Sequence, residues 1–444
     1  MKIDVGYFAK GVWKKSEKKE GKKAMFGALF LKECRQVLKS LVYYIYVVVF
    51  VLFINSQMSS ESVEELQEPV PGQTYYGETV TQDETLIMEG TLADLVQDVC
   101  HNSFATYPLG FYKGVNLTAE EIEQAEEILK NCTGKSMDEL KEEMEEHFGG
   151  YAQNGMEVRM EAAASYRVPV KEGFTYEDFE TAMEEVCHLV GRGSFYEKES
   201  YENRVYVPMT YEQAREEFDA LCTKDNLTRA YIRLFCDYAG IVLAILPIFV
   251  GVSGALRDKR AKVQQVMFSK PASGALIVVS RYLANLVMLI LPVVIVAFLQ
   301  QRPYYDKAKE FGVQGDMWAF LTVPGVWLLP EVMIVLAFAF LITELTDSIA
   351  AIFIQVAWGI ASLFGASTLV GNFGLRLVAR WNTFGSAELY DTLKEELFLN
   401  RGYYFLLAVI CVLMTVIIYE IKRKMGTNLK RNHYPFEESF GKAL

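Results

Sequence analysis

A chain of 444 residues that is 51% hydrophobic and 13% aromatic is more apolar than an ordinary soluble protein and long enough for two or three domains. A net charge of −12 offers no basic surface to a nucleic acid. Its four histidines form no HExxH pair and its seven cysteines no CxxC pair, so no metal site and no catalytic constellation is legible.

The apolar residues gather into six blocks, near 37–54, 234–256, 275–299, 318–342, 348–370 and 403–419. Each approaches or reaches the ~20 residues that cross ~30 Å of hydrocarbon at 1.5 Å per residue. The expected fold class is a membrane all-α protein with six transmembrane helices. Charge gives the orientation. Residues 1–40 hold eleven Lys/Arg against four Asp/Glu, 257–281 six against one, and 421–444 six against two, whereas 56–230 carries thirteen basic and thirty-seven acidic residues. Lys and Arg are retained on the cytoplasmic side, so both termini are expected inside a cytoplasmic membrane and 56–230 outside it. Four parts follow: 1–55 with the first span, the acidic extracytoplasmic domain 56–230, spans two to six in 231–420, and the basic tail 421–444.

In chain order, Phe26, Leu29, Phe30, Cys34, Val37, Leu38 and Leu41 fall on one helical stripe, with Lys32, Glu33, Arg35, Gln36 and Lys39 opposite. Such an amphipathic helix either lies in the inner interface or extends the first span into the cytoplasm. The apolar core Leu41–Ile54 is short, so the span is expected to reach back past Lys39, and with no cleavage site after it the segment reads as a retained signal anchor.

The domain 56–230 shows capping pairs at Thr118/Glu121, Ser136/Glu139 and Thr210/Gln213, with weaker ones at Thr91/Asp94 and Thr175/Asp178. They predict helices near 91–101, 119–131, 137–148, 176–190 and 211–222. Met156–Val170 and Arg204–Val207 read as strands, making the inserted domain α+β. Thr175-Tyr-Glu and Thr210-Tyr-Glu, each with a cysteine twelve residues on, are either a duplicated motif or two similar caps. Cys100, Cys132, Cys187 and Cys222 lie where disulfides persist, and either pair or remain reduced core residues. Gly134-Lys135-Ser136 ends like a phosphate loop, but Leu129 stands where that loop needs glycine, so no ATP-hydrolysing site is expected here.

A charge in hydrocarbon costs ~2.5 kcal/mol or more and needs a partner or water. Glu331 therefore either lines a pathway or pairs with another helix inside the bundle, or sits at the outer boundary. Asp237 and Arg281 stand near block ends, within snorkelling reach. Glu344-Leu-Thr-Asp347 reads as a short cytoplasmic turn. Asn285 and Gln355 are candidate interhelical hydrogen-bonding groups.

The basic stretch 257–274 holds Val263, Val266, Met267 and Lys270 on one face of a short helix stopped before Pro271. With Val266-Met267-Phe268-Ser269-Lys270-Pro271-Ala272-Ser273 followed by Arg281-Tyr282, the chain resembles permeases of the type-2 ATP-binding-cassette exporter family. The amphipathic helix before the first span, the six blocks, and Arg380-Trp381-Asn382 with Asn400-Arg401 before the last span extend the resemblance over the membrane portion. The long insertion after the first span departs from it.

The resemblance implies that residues 262–271, with Val263, Val266, Met267, Phe268, Lys270 and Pro271, form a coupling helix on a cytosolic ABC-type ATPase. ATP and magnesium would be bound by that partner, and a second permease subunit, identical or homologous, would complete the pathway. It implies export of an unidentified, peptide- or drug-like substrate. A membrane sensor whose outer domain binds a ligand fits the same features, whereas a membrane enzyme lacks the residues it would need.

Overall fold

In the computed structural model, which describes residues 24–58, 63, 66–108, 112–149, 166–364 and 373–433, the first helices are sharply separated. Helix α1, Ala24–Val37, meets α2, Leu41–Gln57, at 69°. Ser40 takes the extended backbone of an N-cap between them, so the helix ends before Lys39 instead of running through it. The bend favours the separate amphipathic helix over an extended first span. On α2, Tyr43, Tyr46, Phe50 and Ile54 form the buried stripe, while Leu41, Ile45, Val48 and Leu52 face outward as lipid-facing residues do.

The chain divides into two units. The first joins α1 and α2 to Asp219–Leu363 and the described residues from Phe373 on. A π-helical turn, Ala220–Asp225, leads into α9, Leu227–Leu243, and α10, Pro247–Arg260, bent by 46° at a break closed by Pro247. A five-residue helix α11, Gln264–Phe268, precedes α12, Gly274–Glu310; then come α13, Ala319–Thr346, α14, Ala350–Phe364, and α15, Ala387–His433. Helix α13 is central, packing against α9, α10, α12 and α15.

Helices α12, α13 and α15 are each long and apolar enough to cross a membrane, and the two bent pairs raise the count to five among the described residues. This is a membrane-protein architecture; of the expected block 348–370, residues 365–370 lie outside the described residues. The described part of helix α14 has 15 residues, about 22 Å of rise, and residues 373–386 are non-helical, with Phe373, Leu377, Val378, Ala379 and Trp381 buried and Leu375 exposed.

The second unit, Glu68–Phe218, is narrower than 56–230 at both ends. It contains α3, Glu84–His101; α4, Ala119–Thr133; α5, Met137–Gly149; α6, Tyr176–Val190; the single turn α7, Lys198–Tyr201; and α8, Tyr211–Asp219. Two antiparallel ladders complete it, β1 (Glu78–Val80) with β4 (Tyr206–Pro208) and β2 (Phe104–Thr106) with β3 (Lys113–Val115). Leu92, Leu95, Val96, Leu129, Leu140, Phe179 and Met183 form its core.

The caps act much as the sequence predicts. Thr118/Glu121 and Thr175/Asp178 are complete capping boxes, and Ser136/Glu139 and Thr210/Gln213 bond reciprocally. Thr91 differs: it is buried within α3, whose cap is Asp83, so that helix begins earlier. Gly134 and Ser136 end α4 and begin α5, and Lys135 reaches Glu143 at 2.6 Å. Of the expected strand Met156–Val170, residues 156–165 lie outside the described residues and 166–170 form no strand.

Of the two readings open for the four cysteines, the structure has Cys100, Cys132 and Cys187 as free thiols and Cys222 as a buried core cysteine. Cys132 is fully buried and serves packing, burial pushing its thiol up to about 12. Cys187 lies 3.4 Å from the Ser194 hydroxyl, and Cys222 belongs to the π-helical turn of the first unit, so Thr175 and Thr210 do not open two copies of one motif.

Asp98 accepts a 2.7 Å hydrogen bond from the Tyr196 hydroxyl, and burial pushes its carboxyl up to about 6. Raised in the folded state, this group's contribution is full below the ordinary carboxylate range and is lost as pH climbs through about 6. Residues 68–218 expressed alone should unfold cooperatively, and the stability of Asp98→Asn relative to the parent should grow between about pH 4 and 6. A pH-independent difference in chemical unfolding would contradict this assignment.

Candidate functional site: charged clusters in the bundle and a clamped surface helix

Glu331 sits on α13 with no exposure, its Oε2 3.4 Å from Nη2 of Arg401 on α15. No hydrogen bond closes the gap: among the described residues both carboxylate oxygens, and Nε and Nη2 of Arg401, have no hydrogen-bond partner. Gly240 on α9 lies opposite, where an added Cβ would stand 3.4 Å from Oε2. One turn earlier on α9, buried Asp237 is fully engaged, accepting from Arg380 at 2.9 and 3.2 Å and from the Trp381 amide. The bundle interior thus holds one tight and one slack ion pair. Glu331 is enclosed by protein beside Arg401, and Asp237 is buried and paired with Arg380.

The same turn of α15 satisfies the irregular chain beside it. Asn400 Nδ2 donates to the carbonyls of Gly374 and Arg376 at 2.9 Å, Arg401 Nη1 to Leu377 at 2.9 Å, and the Tyr404 hydroxyl to Leu375 at 2.6 Å. The Val378 amide donates to Ser362 Oγ at 3.0 Å. Non-helical backbone inside an apolar bundle survives only with such substitutes. Gln355 Nε2 donates across to the Ala244 carbonyl at 2.7 Å, at the break between α9 and α10, as an interhelical group. Asn285 Nδ2 bonds within α12 to the Arg281 carbonyl, and its Oδ1 faces Gly254 of α10 with no hydrogen-bond partner among the described residues.

A second charged cluster ties α1 to the spans. Glu33, 3% exposed, accepts from Arg257 of α10 at 2.7 and 2.9 Å and lies 3.5 Å from Arg281 of α12. Arg281 also donates to Asp258 at 2.5 Å, so it too is buried and paired. Nearby, Lys422 of α15 bonds Asp347 at 2.9 Å and the Glu344 carbonyl, and Lys259 lies 3.1 Å from Asp347.

Helix α11 is held from behind by α15. The Arg423 guanidinium donates to the carbonyls of Phe268 at 2.9 Å, Ala272 at 2.7 Å and Lys270 at 2.6 Å, fastening the whole turn through Pro271. Glu420 accepts from the Gly274 amide at 2.5 Å, and a Cβ at 274 would collide with Glu420 and Tyr419. The expected apolar face divides. Met267 and Phe268 turn inward, Phe268 edge-on to Tyr419 at 5.4 Å, while Val263 and Val266 are 39% and 60% exposed. The helix covers 264–268, shorter than 262–271, because Lys262 has positive φ and Val263 precedes the first turn.

Sequence reasoning missed Arg423, Glu420 and Glu33. Glu33 carries a signal, being the sole acid among basic neighbours; Arg423 is indistinguishable from the tail's other cations. Among the described residues no three of His, Cys, Asp and Glu could hold a metal ion. The chain matches no protein-family model, no curated protein and no solved structure.

Arg401→Met should strand Glu331 as an uncompensated buried charge and cost about 3–5 kcal/mol. Adding Glu331→Gln should recover part of that loss. Thermal unfolding of the purified full chain in mild detergent checks both variants, and additive losses would contradict a coupled pair.

Proposed function

We propose that the chain is the membrane-spanning permease subunit of an ATP-driven exporter, working with cytosolic ABC-type ATPase subunits and a second permease subunit, identical or homologous. The substrate class is peptide- or drug-like. The observation that carries this reading is the construction of α11, which presents Val263 and Val266 outward while Arg423 fastens its carbonyl end to α15. A partner pressing on those valines moves a long helix directly. Arg401 lies about six turns along α15 from Arg423, beside Glu331, whose slack pairing gives the bundle a place to rearrange. Under this reading α11 faces the cytosol, in keeping with the basic charge of 257–281 and 421–444. ATP with its magnesium belongs to the partner.

Exposed and clamped residues should then separate. Val263→Asp with Val266→Asp should abolish retention of the ATPase, because a charge would be desolvated at the contact. Arg423→Gln should leave the ATPase bound but lower substrate-stimulated hydrolysis at least about tenfold, the docked helix no longer being fastened to α15. The measurement is subunit retention and ATP hydrolysis in a reconstituted complex. Retention by the valine double variant would remove the basis for the reading.

A further inference from the structure

Helix α1 has an inner and an outer side. Its inner side supplies Glu33 and Val37 to the bundle, while Met25 and Leu29 pack against the cluster around Met267 and Phe268. The outer side exposes Leu31 and Leu38, and beside them Lys32, Arg35 and, just past the helix, Lys39. At i and i+3, Lys32 and Arg35 share one row of the helix with Leu31 beside Lys32, and Leu38 and Lys39 are exposed in the turn that follows it. Lys32 lies within electrostatic reach of Asp258 on α10, whose hydrogen bond goes to Arg281, and no hydrogen bond or close ion pair engages the three cations among the described residues. The only acid of α1, Glu33, is turned inward onto Arg257 and Arg281. The exposed residues of this side themselves therefore carry three positive charges and no acid.

We propose that this face is a docking surface for acidic phospholipid: Lys32, Arg35 and Lys39 take the headgroup phosphates, and Leu31 and Leu38 lie against the upper acyl chains. The 69° turn between α1 and α2 lets one helix lie along a membrane surface while the other enters it. Charge complementarity identifies the lipid class, since a zwitterionic headgroup gives the three cations no net attraction. The inference is independent of any ATPase partner.

The test uses the full chain in nanodiscs of phosphatidylcholine containing phosphatidylglycerol. Electron paramagnetic resonance of spin-labelled phosphatidylglycerol and spin-labelled phosphatidylcholine gives the protein's preference between them. Each cation near an anionic surface is worth about fivefold in partitioning. The parent should favour phosphatidylglycerol, and K32Q/R35Q/K39Q should lose at least about fivefold of that preference. The charge-preserving variant K32R/R35K/K39R should keep it, which distinguishes lost charge from lost folding. An unchanged preference in the glutamine variant would overturn the proposal. Abolition of the parent's preference by excess inorganic phosphate at constant ionic strength would overturn it too, assigning the three cations to free phosphate.

Discussion

A carboxylate or guanidinium enclosed in apolar surroundings has only the protein to bond to, and the helical unit is arranged around that constraint. Its buried charges come as partners on different elements: Glu331 with Arg401, Asp237 with Arg380, Glu33 with Arg257 and Arg281, Asp225 with Arg233. The Glu331 and Glu33 pairs fix which helices are neighbours more sharply than interchangeable aliphatic contacts do, while Asp237 holds the non-helical chain and Arg233 the turn before its own helix. The non-helical chain at 373–381 obeys the same constraint, its carbonyls answered by Asn400, Arg401 and Tyr404 from one turn of α15.

The pairs differ in tightness. Asp237 accepts hydrogen bonds from both Arg380 and the Trp381 amide, whereas Glu331 and Arg401 meet at 3.4 Å without a hydrogen bond. A fully bonded buried pair resists separation, and a slack one gives up less when helices shift. Helix α15 carries Arg401 near its start and Glu420, Lys422 and Arg423 further on, so one element joins the slack interior pair to the fastened surface helix. Helix α1 is tied to the same region through Glu33 and through Met25 and Leu29.

Much of this was legible in the sequence, because hydropathy and caps are local signals. Thr118, Thr175, Ser136 and Thr210 give helix starts through bonds spanning three residues, and the apolar blocks give the long helices. What escaped depends on partners far along the chain. Asp237 reads as a boundary residue until Arg380 is seen beside it, 143 positions away. Met267 and Phe268 share a sequence pattern with Val263 and Val266, and only Tyr419 and Arg423 decide which pair faces inward.

The central claim is that α11 is the surface on which an ATPase acts. The most direct measurement is to place a photo-crosslinking amino acid at position 266 of the full chain, irradiate intact cells, and identify the adduct by mass spectrometry. The account predicts a single dominant adduct to a nucleotide-hydrolysing subunit, lost when the crosslinker is moved to the inward-facing position 267. Crosslinking only to lipid, or equal yields of that subunit from both positions, would contradict it.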